Sequence, residues 1–173
     1  IHQELALIPY LTIAENVYLG NECSHHGLIN WDETYRRTEQ LMKRVGLHEN
    51  SETAIKDIGV GKQQLVEIVK ALSKNARLLI LDEPTAALND DDAEHLLDLL
   101  LELKQEGLTA IIITHKLNEV MKVADKITVL RDGSTIETID PAKETVTPDR
   151  IVAGMVGRSL KDYYPKRTPH IGE

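Results

Sequence analysis

Residues 77–88 read RLLILDEPTAAL, and this stretch decides the fold. A run of apolar residues is followed by the acids Asp82 and Glu83 and then by Pro84. A short apolar run of this kind is typical of a strand that is buried on both faces of a parallel sheet. Pro84 has no N–H to donate and favours an extended Glu83, so we expect the strand to end there.

The two acids are then predicted to lie at the carboxyl end of a central strand, where open α/β sheets bind their ligands. An acid there can bind a hard cation such as Mg²⁺, and its neighbour can orient or deprotonate a water molecule. The acidic pair alone favours a plainer interpretation, a solvent-exposed turn after an ordinary strand. The motifs in the rest of the chain reverse that preference.

The composition sets limits on the kind of protein. The chain has 173 residues, of which 42% are hydrophobic, and this fits one domain or a large part of a bigger protein. A net charge of −8 opposes a broad surface for nucleic acid or anionic lipid. The single cysteine, Cys23, excludes an internal disulfide. No signal peptide and no stretch of membrane-spanning length is found in the sequence.

Hydrophobic periodicity and capping signals outline the elements. Helices are predicted at residues 13–19, 31–45, 90–106, 117–124 and 149–156. A further helix is predicted to begin with the turn at residues 58–64 and to end near residue 73. The predicted strands are the acidic-tipped strand, 109–114, 126–130 and 134–139, the last two joined by a hairpin turn at Asp132-Gly133. Residues 21–30 are predicted to be a loop. Buried strands that alternate with helices predict a three-layer α/β core.

We expect one partial domain over residues 1–157, with a helical subdomain at about 10–75 and part of the α/β core at about 76–157. Residues 158–173 are predicted to be a linker or tail. Cys23, His25 and His26 suggest a metal site, but a fourth ligand is missing and adjacent histidines point apart in most backbones. A solvated loop is the better interpretation of that segment.

Several motifs, taken together and in order, resemble those of the nucleotide-binding subunits of ABC transporters. Residues 78–84 resemble the Walker B strand with its catalytic glutamate, and residues 58–64 resemble the signature motif just upstream. Residues 84–89 resemble the D-loop, His115 resembles the switch histidine, and Gln3 fits the Q-loop glutamine. The strings HQELALIPYLTIAENVYLG, GKQQLVEIVKAL and THKLNEV are similar to the ATP-binding proteins of bacterial monosaccharide importers, of the D-xylose type. In those proteins the chain resembles the amino-terminal of two nucleotide-binding halves.

The resemblance implies a partial P-loop NTPase fold and roles for single residues in the hydrolysis of ATP with Mg²⁺. Asp82 would bind Mg²⁺, and Gln3 would contact Mg²⁺ or the attacking water. Glu83 would act as general base or polarise that water, and His115 would hold the γ-phosphate. The residues alone leave open a capping or core role for His115 and an ordinary surface position for Gln3.

The signature turn would bind the γ-phosphate of an ATP molecule held by the opposite half, through free N–H groups at a helix amino terminus. The residues concerned are Gly59, Gly61, Lys62 and Gln63, although a plain turn remains an alternative for the two glycines. The implied partners are transmembrane permease subunits, which meet residues 12–19, a second ATPase half or subunit and, indirectly, a periplasmic sugar-binding protein. No nucleic-acid partner is expected, and the implied location is the cytoplasmic face of the membrane.

Three departures from the family pattern modify these expectations. The sequence contains no G-x-x-x-x-G-K-[ST] phosphate loop. In the family, this loop and its strand come before the glutamine that Gln3 resembles, so we expect this chain to lack roughly the first eighty residues of the family's domain, judged from ordinary domain size. We therefore expect these 173 residues alone neither to bind ATP tightly nor to hydrolyse it, and to oligomerise through exposed sheet edges. Residues 59–62 read GVGK where the family has SGGQ, and Val60 would resist a positive φ, so weaker signature function is expected. Asn89 replaces the usual aspartate of the D-loop.

Two other functions are considered. A soluble ABC-type ATPase of DNA repair or translation shares the Walker B and signature strings, but the acidic charge and the HKLNEV stretch disfavour it. A non-catalytic interaction module, with a degenerate nucleotide pocket, is compatible with the altered signature.

Overall fold

The computed structural model describes residues 6–74 and 76–157. The chain divides into two compact units, Ile1–His115 and Lys116–Glu173. Among the described residues, no helix combines the length and the apolar character needed to cross a bilayer. The predicted tail at residues 158–173 lies outside the described residues, and the predicted subdomain boundary near residue 76 stays a prediction.

The first unit begins with helices that pack on one another. They are α1 (Ile13–Tyr18), α2 (Trp31–Arg44) and α3 (Val60–Ser73), with a turn of 3-10 helix at Ile55–Asp57. Helix α1 starts with the predicted capping box, in which Glu15 N donates to Thr12 Oγ1 at 3.2 Å and Thr12 N donates to Glu15 Oε2 at 2.7 Å. Helices α1, α2 and α3 contact one another and share one apolar cluster.

The prediction of a loop at residues 21–30 is wrong. Strands β1 (Ser24–His25) and β2 (Leu28–Ile29) form a small antiparallel hairpin. Its two turn residues have positive φ angles, 52° at His26 and 79° at Gly27, as a type I′ turn requires. Strands of two residues are too short to show an alternating pattern, and histidine is not among the usual signals of such a turn.

The strand predicted from residues 77–88 is β3 (Leu78–Asp82), and it pairs in parallel with β4 (Thr109–Ile113). Helix α4 (Asp90–Gln105) connects the two strands, so that the three elements make a β-α-β unit. In its first turn, Asn89 Oδ1 accepts from Asp92 N at 2.8 Å, which caps the helix. The register pairs Asp82 with Ile113, and this places the carboxyl ends of both strands at the same edge.

Only one face of this two-stranded sheet is buried, although the sequence predicts burial on both faces. Leu79 and Leu81 are 4% and 0% exposed and join the cluster that contains the leucines of α4. On the other face, Leu78 and Ile80 are 49% and 50% exposed. This face is therefore only half-covered, whereas the leucines of α4 pack against the first face.

The second unit consists of α5 (Leu117–Val123), strands β5 (Ile127–Arg131) and β6 (Ser134–Ile139), and α6 (Pro148–Val156). The hairpin is confirmed at Asp132 and Gly133, whose φ angles are 50° and 74°. Its own small core contains four buried side chains, Ile127, Val129, Ile139 and Ile151.

Gly46, which follows α2, has a backbone conformation that favours glycine. Its φ is 71°, and a Cβ atom there would lie 2.7 Å from the ring of His95 on α4. We expect Gly46→Ala to destabilise the protein by about 1 to 2 kcal/mol through strain at positive φ, because the exposed His95 ring can rotate away from the added methyl group. The measurement is the urea unfolding midpoint. Gly20→Ala is the control, since Gly20 has φ 75° and no neighbouring atom within 4 Å, and it should show the backbone strain alone.

Candidate functional site

The acidic pair lies where β3 ends. Asp82 is the last residue of the strand and is half-buried. The amide of Glu83 still donates to the Ile113 carbonyl of β4 at 2.8 Å, and then a φ of 44° turns the chain out of the sheet. The expectation of an extended Glu83 is therefore wrong. A non-glycine residue in this left-handed region costs of order 1 to 2 kcal/mol, which tertiary contacts must offset.

Glu83 and His115 meet at this edge, as the site prediction requires. Nδ1 of His115 lies 2.9 Å from Oε1 of Glu83, although the residues are 32 positions apart in sequence. Because an ionised carboxylate only accepts hydrogen bonds, Nδ1–H is the donor, and Nε2 of a neutral ring is an acceptor. The Glu83 side chain is 31% exposed and that of His115 is 65% exposed, so both are accessible to a ligand.

The predicted signature turn forms the amino terminus of α3. Gly59 is the N-cap residue with φ −66° and ψ 157°, and Val60 is the first residue of the helix. The predicted conflict between Val60 and a positive φ is therefore wrong, because the backbone at this position is helical. No side chain caps α3 among the described residues, and its first-turn N–H groups are the kind that bind anions.

The side chains of Lys62 and Gln63 have partners within their own unit. The Lys62 ammonium forms an ion pair with Glu49. The Gln63 amide donates to the carbonyls of Ile55 and Ile58 at 3.1 and 3.0 Å, and so anchors the 3-10 turn to α3. What this helix terminus offers to a ligand in the structure is therefore its backbone rather than these two side chains.

The structure also joins the start of α3 to the segment that follows Glu83. A Cβ atom placed on Gly61 would lie 2.8 Å from the carbonyl oxygen of Ala87. The glycine of the predicted signature and the predicted D-loop thus touch within one unit.

Two site predictions concern metal ligands. Gln3 lies outside the described residues. For Asp82, a single half-buried carboxylate suits Mg²⁺, which keeps several water ligands and shares phosphate oxygens instead of occupying an all-protein cage. In the part of the chain that the structure describes, no group of three or more His, Cys, Asp or Glu side chains is arranged to hold a metal ion. His25 and His26 lie in the exposed β1–β2 hairpin, with 2.6 Å between their Nδ1 atoms.

Asn16 has a large structural role but is not among the residues that the sequence analysis singles out. Asn16 of α1 is 0% exposed and its side chain binds the backbone of the preceding loop. Oδ1 accepts from Ile8 N at 2.7 Å, and Nδ2 donates to the carbonyls of Ile8, Leu11 and Thr12 at 3.1, 3.3 and 2.9 Å. The available signal was its position three residues after Ile13, on the buried face of an amphipathic helix.

Comparison with known proteins identifies sequence relatives of the whole chain. Residues 1–86 match a family described as ABC transporter. Over all 173 residues the chain is 66% identical to the L-arabinose transport ATP-binding protein AraG of Geobacillus stearothermophilus, of which it covers 34%. It is 48% identical over 170 residues to the xylose import ATP-binding protein XylG of Escherichia coli K12, covering 98% of this chain and 33% of that protein. The chain thus spans about a third of the length of these curated relatives.

Solved structures resemble the fold as well. The dimeric ATP-binding cassette MJ0796 bound to ADP and phosphate superposes with a TM-score of 0.72 at 29% identity, covering 81% of this chain and 61% of the cassette. The cassette cbiO1 of Clostridium perfringens superposes with a TM-score of 0.64 at 27% identity, covering 80% and 54%. The expected α/β fold of P-loop NTPases, present in part, is confirmed by these likenesses.

Proposed function

Because the chain belongs to the ABC transporter family, we propose that it forms part of the ATP-hydrolysing subunit of a bacterial monosaccharide importer. The observation that carries the proposal is the contact between Glu83 and His115 where two parallel strands end. The names of the relatives support a pentose as the transported sugar, since L-arabinose and xylose are both pentoses. The expected D-xylose remains one candidate beside L-arabinose.

The chemistry proposed for this edge is attack of water on the γ-phosphate of ATP. The water oxygen forms a bond to phosphorus, the bond to the β–γ bridging oxygen breaks, and ADP and phosphate leave. Glu83 orients the water and accepts its proton, while Nδ1–H of His115 holds the Glu83 carboxylate in place. His115 can also donate to a phosphate oxygen through Nε2 when that nitrogen carries a proton.

Two further contacts with the nucleotide are proposed. When Mg²⁺ is bound with ATP it neutralises phosphate charge, and Asp82 and Gln3 are the residues of this chain assigned to hold it. The first turn of α3, with Gly59, Gly61, Lys62 and Gln63, is assigned to the γ-phosphate held by a second ATPase half. Its uncapped N–H groups support this assignment.

The membrane subunit is proposed to dock mainly on the loop before α1, because most of the segment 12–19 expected to meet it is buried in the helix α1. Ile8 and Tyr10 are 42% and 80% exposed there, and Leu19 after the helix is 46% exposed. The Lys56 ammonium lies 5.2 Å from the centre of the Tyr10 ring and adds a positive charge beside the apolar side chains. An amphipathic segment of the permease with an acidic residue fits this surface. Such docking places the protein at the cytoplasmic face of the membrane, with a sugar-binding protein acting from the other side.

The test is ATP turnover by the full-length protein, reconstituted with its membrane subunits in vesicles. We expect turnover to rise when a sugar-binding protein and a pentose are added, with L-arabinose and D-xylose in separate arms and a hexose as control. Turnover that needs no membrane subunit and responds to DNA or ribosomes would instead support a soluble ABC-type ATPase. Loss of all turnover in a correctly assembled complex would support the non-catalytic module.

The exposed face of β3 and β4 leads to a separate prediction for the 173-residue polypeptide. Ile80 and Ile111 are both 50% exposed and lie opposite each other on neighbouring strands, so this face presents adjacent apolar side chains. We expect the polypeptide to self-associate, and Ile80→Lys or Ile111→Lys to shift it toward the monomer in light scattering. Leu130→Lys is the control, because Leu130 is 64% exposed but lies in the second unit. A monomeric unsubstituted polypeptide would contradict the prediction.

A further inference from the structure

The two glycines of the α3 amino terminus differ in what surrounds them. A Cβ atom on Gly61 would meet the Ala87 carbonyl oxygen at 2.8 Å and Leu88 Cδ2 at 3.6 Å, whereas Gly59 has no atom within 4 Å of that position. Real Cβ atoms essentially never approach a backbone atom so closely. Gly61 lies inside the helix and does not have a positive φ angle. The contact with Ala87, and not the backbone conformation, therefore requires glycine at this position.

The segment in contact with Gly61 is short and internally hydrogen-bonded back to Glu83. The Ala86 amide donates to the Glu83 carbonyl at 3.1 Å, and the Leu88 amide donates to the Thr85 carbonyl at 3.2 Å. Thr85, between these turns, is 1% exposed. Residues 83–88 therefore form two successive turns, anchored at one end to β4 and in contact with α3 at the other.

We propose that Gly61 is a positioning residue that sets the place of the 83–88 turn, and through it of the Glu83 carboxylate. The absence of a side chain lets the first turn of α3 rest directly on the Ala87 carbonyl. A displacement at that contact reaches Glu83 through two hydrogen-bonded turns. The α3 terminus and the catalytic glutamate of the same chain are thereby coupled, in addition to any contact that α3 makes with nucleotide. The kinetic consequence rests on the proposed function, whereas the structural coupling does not.

The test compares Gly61→Ala with Gly59→Ala in the full-length protein. In the nucleotide-free state, we expect Gly61→Ala to speed hydrogen exchange at the Ala86 and Leu88 amides by about tenfold or more. Gly59→Ala should leave exchange at those amides within about twofold, because no atom opposes the added methyl group. In the reconstituted transporter, Gly61→Ala should lower kcat by about ten- to a hundredfold, with KM for ATP within about threefold. If Gly61 served only to let a ligand approach the backbone, Gly61→Ala would raise KM for ATP and leave exchange at the Ala86 and Leu88 amides unchanged. That result would overturn the proposal.

Ala87→Gly is a second variant, which loosens the 83–88 turn while leaving α3 unchanged. Ala87 is exposed, so the change removes no core packing and only loosens the backbone of the turn. We expect faster exchange at the Ala86 and Leu88 amides together with a lower kcat. If Gly61→Ala does not fold, this variant still tests whether the turn positions Glu83, and faster exchange with an unchanged kcat would overturn that step. Unchanged exchange in both variants would overturn the coupling. Altered exchange in a protein that hydrolyses no ATP would support the coupling and reject the proposed function.

Discussion

Replacing Glu83 with glutamine should lower ATP turnover of the reconstituted transporter by about 10²- to 10⁴-fold, while ATP binding is retained. The amide has nearly the shape of the carboxylate, and its oxygen can still accept from Nδ1–H of His115. What is lost is the negative charge to which we assign the orientation of the attacking water and the acceptance of its proton. The measurement is single-turnover hydrolysis, with bound nucleotide quantified in parallel.

A control variant and a double variant complete that experiment. Glu52→Gln, which changes an exposed glutamate in the same unit, should leave turnover within about twofold. His115→Ala should reduce turnover as well, and the double variant with Glu83→Gln should be little worse than Glu83→Gln alone, because the two side chains act as one unit. Turnover above about a third of the unsubstituted rate in Glu83→Gln would reject the catalytic assignment of Glu83.

The second large effect is expected at Asn16. Asn16→Leu preserves the approximate volume but leaves the amide of Ile8 and the carbonyls of Ile8 and Leu11 without their side-chain partner. We expect a loss of about 2 to 4 kcal/mol in the free energy of unfolding, because unpaired buried polar groups each cost about 1 to 3 kcal/mol. The measurement is urea unfolding, combined with hydrogen exchange at the Ile8 amide.

Asn16→Asp distinguishes the acceptor role of Oδ1 from the donor role of Nδ2. The aspartate keeps an acceptor for Ile8 N but presents a buried negative charge to three carbonyl oxygens, so it should be at least as destabilising as leucine. Asn21→Leu is the control, since Asn21 is exposed just beyond the same helix. If the proposed docking loop is correct, both Asn16 variants should also weaken co-purification of the membrane subunits. Stability within about 0.5 kcal/mol in Asn16→Asp would show that the amide donors contribute little.

Much of the local structure was predictable because it depends on residues close together in the chain. The capping box at Thr12, the Asp132-Gly133 hairpin and the helix after Asn89 all form where composition and spacing predict them. The strand before Asp82 was predictable from a short apolar run, and its likeness to solved cassettes confirms the fold class. A family resemblance predicted that Glu83 and His115 act at one site, but not the hydrogen bond that joins them.

The remaining features depend on contacts that no local pattern contains. The rule for a residue before proline predicts an extended Glu83, but the φ angle of Glu83 is 44°. In this conformation its amide donates to the Ile113 carbonyl and its side chain contacts His115. Val60 was expected to conflict with a turn, whereas the helix simply begins at that residue.

The amino-acid pattern thus specified which segments become helices and strands and where the acidic pair must lie, since short-range periodicity and capping act within a few residues. Only the folded chain decided that Gly61 touches Ala87, that Asn16 holds the loop before α1, and that one face of β3 stays open. These outcomes depend on which surfaces meet in space. Packing and buried hydrogen bonds between distant residues decide them, because an unfilled contact or an unpaired buried group costs more than most local preferences are worth.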